Sequence, residues 1–342
     1  MLKRLAASVV PAVLVLAGLT AVTSPPAAAA GIACSRTGAG SFDYPGPGAS
    51  PVYDNRFVLG HRVPNALLDH FVPQGLATWP DWGGRGKDLL LAMGYNDQRS
   101  YSALVGLVPG GGRTALVKLP KPRRAGGYAK VHVGGAVVVK GHLFVQGPRR
   151  SGRATVQRFS LAKLRQRLKT GGTLKPQTTY TLRAGSSAYL AAYRDTLYTG
   201  SFSATHRSKI RRHRVADSGR ITAYGKPLVA PPRTQGLVVT ASSYIFSTSL
   251  GRNKRSRMYV MRRSETNLDK AYARGRLSCF PAPSMAEGIT LTNGRLYVLF
   301  ESGSYAYDKV PCKGSSPAPG CTLNIIDNLH LAKLSDVTAL IR

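Results

Sequence analysis

The chain has 342 residues, with 48 Lys+Arg against 15 Asp+Glu and a formal net charge of +33 at pH 7. So large an excess excludes an electrostatically neutral surface and makes polyanions the natural class of partner. A hydrophobic fraction of 43% excludes a globally disordered chain, and 37 Gly, 22 Pro and 16 Tyr suit short strands and tight turns better than long helices.

The chain opens with a basic start, Lys3 and Arg4, then an apolar run over residues 6–22 and a small-residue run over residues 27–30. This pattern predicts a secretory signal peptide over residues 1–30, cut near Ala30. A retained anchor is the weaker reading, because an apolar run of about 17 residues is at the short limit for a spanning helix. The mature domain, residues 31–342, holds no second run long enough to span, so secretion to the extracellular space or the cell wall is expected. Cys34, Cys279, Cys312 and Cys321 all fall in that domain. An even cysteine count in an exported chain predicts two disulfides. Cys312 and Cys321 flank a Gly/Ser/Pro loop, which favours a local bridge and leaves Cys34 for Cys279. A zinc site lacks the close Cys or His pairs it needs.

Residues 56–63 (RFVLGHRV) read as a strand ending at Pro64. After it, five apolar segments begin at Gln74, Gly134, Ser186, Gln235 and Glu287, spaced 60, 52, 49 and 52 residues apart. Each is followed by a turn and a second β-rich run, with hairpin signals at Lys140-Gly141, Arg194-Asp195 and Asn293-Gly294. Two further strands follow in the second unit (residues 155–161 and 178–182) and in the fourth (257–261 and 275–280). A short basic helix is expected over residues 162–170. Four strands in each unit of about 50 residues is the pattern of a β-propeller blade. The expected fold is therefore all-β, a single propeller of five four-stranded blades. The fifth unit lacks a clear last strand, so residues 56–63 are expected to close it, which removes an open sheet edge and brings Cys34 towards the strand carrying Cys279. Six blades, with residues 35–73 forming one of their own, stay open, and a β-sandwich is the competing architecture.

In a propeller, loops leading into first strands and out of second strands share one face. On that face the sequence gathers Arg123, Arg124, Arg149 and Arg150 from the second blade. The third supplies Arg207, Lys209, Arg211 and Arg212, and the fourth Arg252, Lys254 and Arg255. Such a crown focuses positive potential over the ring mouth, and Arg matches phosphate and carboxylate geometry. The bland alternative is solvated loop charge. No nucleic-acid module is recognisable, so DNA ranks as one unspecific polyanion among several.

His70, Gln74, His132, Ser186, Gln235, Glu287 and Tyr305 are expected at the mouth, as a polar pocket able to bind a ligand by hydrogen bonds. The alternative for Gln74, Gln235 and Glu287 is that they satisfy backbone groups at tight strand starts. If the protein is an enzyme, Glu287 and Glu301 are the acid–base candidates, since glycoside hydrolysis needs two placed carboxyl groups. No serine-nucleophile elbow, cofactor motif or metal-ligand set is present.

His61-Arg62-Val63-Pro64, residues 69–75 (DHFVPQG), Pro231-Pro232-Arg233-Thr234-Gln235-Gly236 and residues 296–303 (LYVLFESG) resemble segments of secreted, propeller-like proteins from high-GC actinobacteria. The resemblance implies fold and export and carries no activity. Residues 286–289 are faintly similar to strand starts in lactonase-like and phytase-like propellers, whose acidic metal ligands have no counterparts here. The functional expectation is a monomeric, exported binder of an anionic envelope polymer or ligand. The alternatives are a hydrolase of a glycan or phosphate-containing substrate, and a protein-interaction scaffold.

Overall fold

Apolar runs with tight turns fold here into five sheets, each with four antiparallel strands and one extended by a short fifth strand, arranged as the blades of a propeller. The computed structural model describes residues 32–108, 112–183, 185–249, 251–307 and 322–342. The expected signal peptide and the expected Cys312–Cys321 bridge lie outside these residues.

Before the first blade come α1 (Pro51–Asp54), β1 (Phe57–Arg62) and α2 (Asn65–Leu68). Blade one is β2 (Val72–Trp79), β3 (Leu89–Tyr95), β4 (Tyr101–Leu107) and β5 (Val117–Pro120). A small ribbon, β6 (Arg123–Arg124) with β7 (Gly127–Tyr128), leads to blade two. Blade two is β8 (Ala136–Val139), β9 (His142–Arg150), β10 (Arg153–Ser160) and β12 (Thr178–Thr181). Between β10 and β12 lie the expected basic helix, α3 (Leu161–Thr170), and β11 (Gly172–Thr173), which adds in parallel to β5. Blade three is β13 (Tyr189–Tyr193), β14 (Thr196–Gly200), β15 (Ser208–Val215) and β16 (Ile221–Ala230). Blade four is β17 (Thr234–Val239), β18 (Ser243–Thr248), β19 (Ser256–Arg262) and β20 (Leu277–Ala282), with α4 (Leu268–Ala273) between its last two strands. Blade five is β21 (Ala286–Thr292), β22 (Arg295–Phe300), β23 (Asn328–Lys333) and the returning β1, and α5 (Leu334–Thr338) follows β23.

The chain ends therefore meet in one sheet, where Phe57 pairs with Ala332 and Val58 with Leu331. Residues 35–73 form no sixth blade, because β1 is needed as the outer strand of the fifth. The Cys34–Cys279 disulfide ties the segment before β1 to β20, and the Ser35 amide donates to the Cys279 carbonyl at 2.9 Å.

Each sheet is sandwiched between two neighbours, so its middle strands are buried on both faces and read as unbroken apolar runs. β3 shows how the pleat divides its residues. Leu89, Leu91 and Met93 join the core between blades one and two, whereas Leu90 and Ala92 join the core between blades five and one. Three further apolar clusters fill the remaining junctions, so every blade interface has its own core. Each fully buried Leu or Phe there stabilises the ring by about 1.5–3 kcal/mol. The five first strands, β2, β8, β13, β17 and β21, pack side by side around the axis.

Candidate functional site

Three of the first strands start with a polar residue followed by glycine: Gln74-Gly75, Gln235-Gly236 and Glu287-Gly288. In each of these strands the ladder register shifts at that point, between Pro73 and Gly75, between Thr234 and Gly236, and between Ala286 and Ile289. A bulge of this kind releases a residue from the ladder and re-aims its side chain. The glycines permit close approach of neighbouring strands. A Cβ on Gly75 would lie 2.2 Å from the Val133 carbonyl oxygen, and one on Gly236 would lie 2.6 Å from that of Glu287. The repeated motif thus turns three polar side chains into the mouth while the strands close up beneath them.

They meet in a cavity of about 690 Å³ that opens on the face where first strands begin and second strands end. The ends of second strands supply Tyr95, Ser249 and Glu301, the middle of β9 supplies Gln146, and the loop after β14 supplies Phe202. Arg233, Arg252, His132 and Tyr307 complete most of the wall.

Glu287 and Glu301 are the chemical centre of this cavity, 2% and 7% exposed respectively. The Gln235 amide donates to Glu287 Oε1 at 3.4 Å, and Ser249 also hydrogen-bonds this carboxyl group. Gln74 hydrogen-bonds Glu301, while its own Oε1 is buried without a partner among the described residues. Among the described residues no Lys, Arg or His forms an ion pair with either carboxyl group. Burial, reinforced by the proximity of Glu301, holds Glu287 well above the usual carboxylate range. Burial likewise raises Glu301. Two such buried groups close together cannot both ionise cheaply, so the pair retains a proton at neutral pH.

The neighbouring tyrosines keep their protons as well, whereas the neighbouring histidine gives its proton up. Burial and the two carboxyl groups raise the Tyr95 and Tyr307 hydroxyls, and these two tyrosines hydrogen-bond each other. Both remain donors at any physiological pH. Burial lowers His132, so its imidazole is neutral where it stacks on the Tyr95 ring at 4.3 Å. Arg252 lies 5.3 Å over the Tyr307 ring and donates to Thr322 Oγ1 at 3.1 Å.

Of the residues expected at the mouth, Gln74, His132, Gln235 and Glu287 line the cavity, together with Glu301. The others are elsewhere. His70 is exposed beyond α2, with its carbonyl accepting from the Asn96 amide at 2.7 Å. Ser186 precedes the strand start and its neighbour Ser187 turns back to the Thr155 carbonyl. Tyr305 is tied by its backbone to Leu68, which leaves Tyr307 at the cavity. The backbone-satisfying role falls to Gln146, whose Oε1 accepts from the Gly134 amide at 3.1 Å. Tyr95, Gln146, Phe202 and Ser249 are not among the expected residues; Tyr95 and Ser249 lie at second-strand ends on the mouth face, but neither residue type singles itself out in the sequence.

The basic crown divides. Arg123, Arg124, Arg149, Arg150, Lys209 and Lys254 are exposed. Arg207 is committed to Asp269, with one contact at 2.7 Å. Arg255 donates twice to the Gly48 carbonyl, at 3.0 and 2.7 Å. Arg212 lies 5.3 Å over the Tyr224 ring, and Arg211 is half-buried on β15 beside it.

No protein-family model matches the sequence, and no curated protein does. Among solved structures, the chain is similar to a beta-xylosidase at 13% identity and a TM-score of 0.43, covering 78% of this chain and 92% of that one. It is similar to a thermostable family-43 glycoside hydrolase at 9% identity and a TM-score of 0.42, covering 77% and 99%. It is also similar to a functionally unknown protein from Desulfotomaculum acetoxidans at 9% identity and a TM-score of 0.35. That match covers 61% of this chain and only 59% of the other.

Proposed function

We propose that this chain is an exported hydrolase acting on a glycan or phosphate-containing substrate at the mouth of the propeller. The exposed basic rim gathers an anionic polymer or ligand of the cell envelope. One observation carries the reading: Glu287 and Glu301 are buried together in the wall of an open polar cavity, without a cationic partner among the described residues. Titratable groups held away from their ordinary range in a cleft mark a candidate site, and a structural ion pair is not what displaces them here.

The chemistry follows from the shared proton. The protonated carboxyl group gives its proton to the departing oxygen as the bond to it breaks. The ionised partner takes a proton from the attacking water, whose oxygen forms the new bond. Tyr95 and Tyr307 donate to substrate oxygens, and Arg233 and Arg252 meet negative charge at the rim. Export rests on the signal-like residues 1–30 and is supported by the Cys34–Cys279 disulfide, a bond that persists in oxidising compartments.

The test is turnover of wall teichoic acid, an acidic glycan, polyphosphate and duplex DNA by residues 31–342. Hydrolysis of one of them is expected. Glu287→Gln and Glu301→Gln should each lose about 10²–10⁴-fold in kcat, the usual worth of general acid–base catalysis, with the fold and substrate binding retained. Turnover surviving in both variants removes the carboxyl pair from the reaction. Salt-sensitive binding with no turnover across the panel leaves a polyanion binder.

A further inference from the structure

Beside the mouth, between blades three and four, lies a second and smaller cavity of about 140 Å³. Arg233, Arg255 and Arg257 line it, with Thr205, Thr248 and Tyr259. We infer that it binds a tetrahedral oxyanion, the phosphate or sulfate ester of the substrate whose body occupies the mouth.

The three arginines line a single opening, where Arg255 alone also senses a carboxyl group, that of Asp54. Among the described residues none of the three forms an ion pair, and the nearby Asp269 is taken by Arg207. The Arg233 and Arg257 side chains have no hydrogen-bond partner among the described residues. Arg255 uses Nε and Nη2 on the Gly48 carbonyl, which fixes its guanidinium and leaves Nη1 over. Like charges drawn together without an anion repel one another, whereas around an oxyanion the same forks become bidentate donors.

The backbone of Arg233 is the second indication. This residue has φ 63°, in the left-handed region that side chains other than Gly, Asn and Asp rarely adopt. Its amide donates to the Ser203 carbonyl at 2.7 Å and its carbonyl accepts from the Ser249 amide at 3.1 Å, so both sides of the strained residue are clamped. Strain held by its surroundings is characteristic of functional positions. On β19, Arg257 and Tyr259 are two residues apart and share one face, and Thr248 pairs across from Arg257. Thr248 spends its hydroxyl proton on the Arg257 carbonyl at 3.0 Å.

Arg233 and Ala204 line both this cavity and the mouth, so an ester held here projects its alcohol towards Glu287 and Glu301. Only that last step rests on reading the mouth as a hydrolytic site. The oxyanion site stands on its own residues.

The experiment is calorimetric titration of residues 31–342 with inorganic phosphate and, separately, inorganic sulfate, at ionic strength fixed with sodium chloride. One saturable site is expected, and the tighter anion names the ester. Arg233→Ala and Arg257→Ala should each weaken it at least tenfold, Arg233→Lys should weaken it less, and Arg220→Ala, in the far turn between β15 and β16, should change nothing. Circular dichroism confirms that each variant is folded. Absence of a saturable site, or an equal loss in Arg220→Ala, overturns the proposal. Oxyanion binding without hydrolysis of any ester leaves this site standing and removes the hydrolase reading. Hydrolysis without oxyanion binding does the reverse.

Discussion

Glu265, Glu287 and Glu301 are the three glutamates of the sequence, and they occupy two opposite environments. Glu265 has Arg276 at 2.9 Å and Arg274 at 3.6 Å and is an ordinary paired carboxylate. Glu287 and Glu301 have amides, hydroxyls and burial instead. Because their folded-state pKa is raised above the unfolded value, the stability they confer is full below about pH 4.5 and is lost as the pH climbs towards 8. Thermal unfolding should therefore show stability falling across pH 5–8, with a slope of about 1.4 kcal/mol per pH unit per extra proton bound in the folded state. The Glu287→Gln/Glu301→Gln double variant should flatten that slope, and an unchanged slope contradicts the assignment. The pair was legible in the sequence, because both residues sit at strand ends that a propeller turns to one face. The tyrosines, Ser249 and Phe202 were not, since their types carry no chemistry until a cavity brings them beside a carboxyl group.

At the scale of strands, the repeated start of polar residue, glycine and apolar run marked the inner strands, and turn dipeptides marked several of their hairpins. β23 escaped because a histidine interrupts its apolar alternation. His330 is fully buried, with Tyr53 Oη at 2.9 Å from its Nδ1 and the rings of Phe42, Tyr44 and Phe300 around it. That aromatic box draws on residues far away in the chain, so a polar residue occupies a core position that no local pattern could reveal. Closure by β1 could be read, since an outer strand was missing and the chain supplied one early. The Cys34–Cys279 bond locks the segment leading into that strand across a separation of 245 residues. Replacing both cysteines with serine should cost about 2–5 kcal/mol in equilibrium unfolding. An unchanged midpoint would mean that the strand ladder alone holds the ring shut.

For the whole molecule, fold and charge were read with different success. Ring order follows from periodicity, and periodicity is visible in one dimension. Charge placement is not: Arg207 and Arg212 count towards a basic crown in sequence but are spent on Asp269 and Tyr224. The mouth sets Arg233 and Arg252 beside two buried carboxyl groups, and the proposed hydrolysis rests on that arrangement. The protonation state of the two buried carboxyl groups tests this most directly, and it needs no knowledge of the substrate. With only three glutamates, ¹³C-labelling of glutamate gives three side-chain carboxyl resonances, which the Glu287→Gln and Glu301→Gln variants assign. The predicted result is that at least one of Glu287 and Glu301 keeps its proton through pH 7. If the Glu287 and Glu301 resonances both reach their ionised positions below pH 5, the mouth holds no acid and the hydrolytic mechanism is wrong.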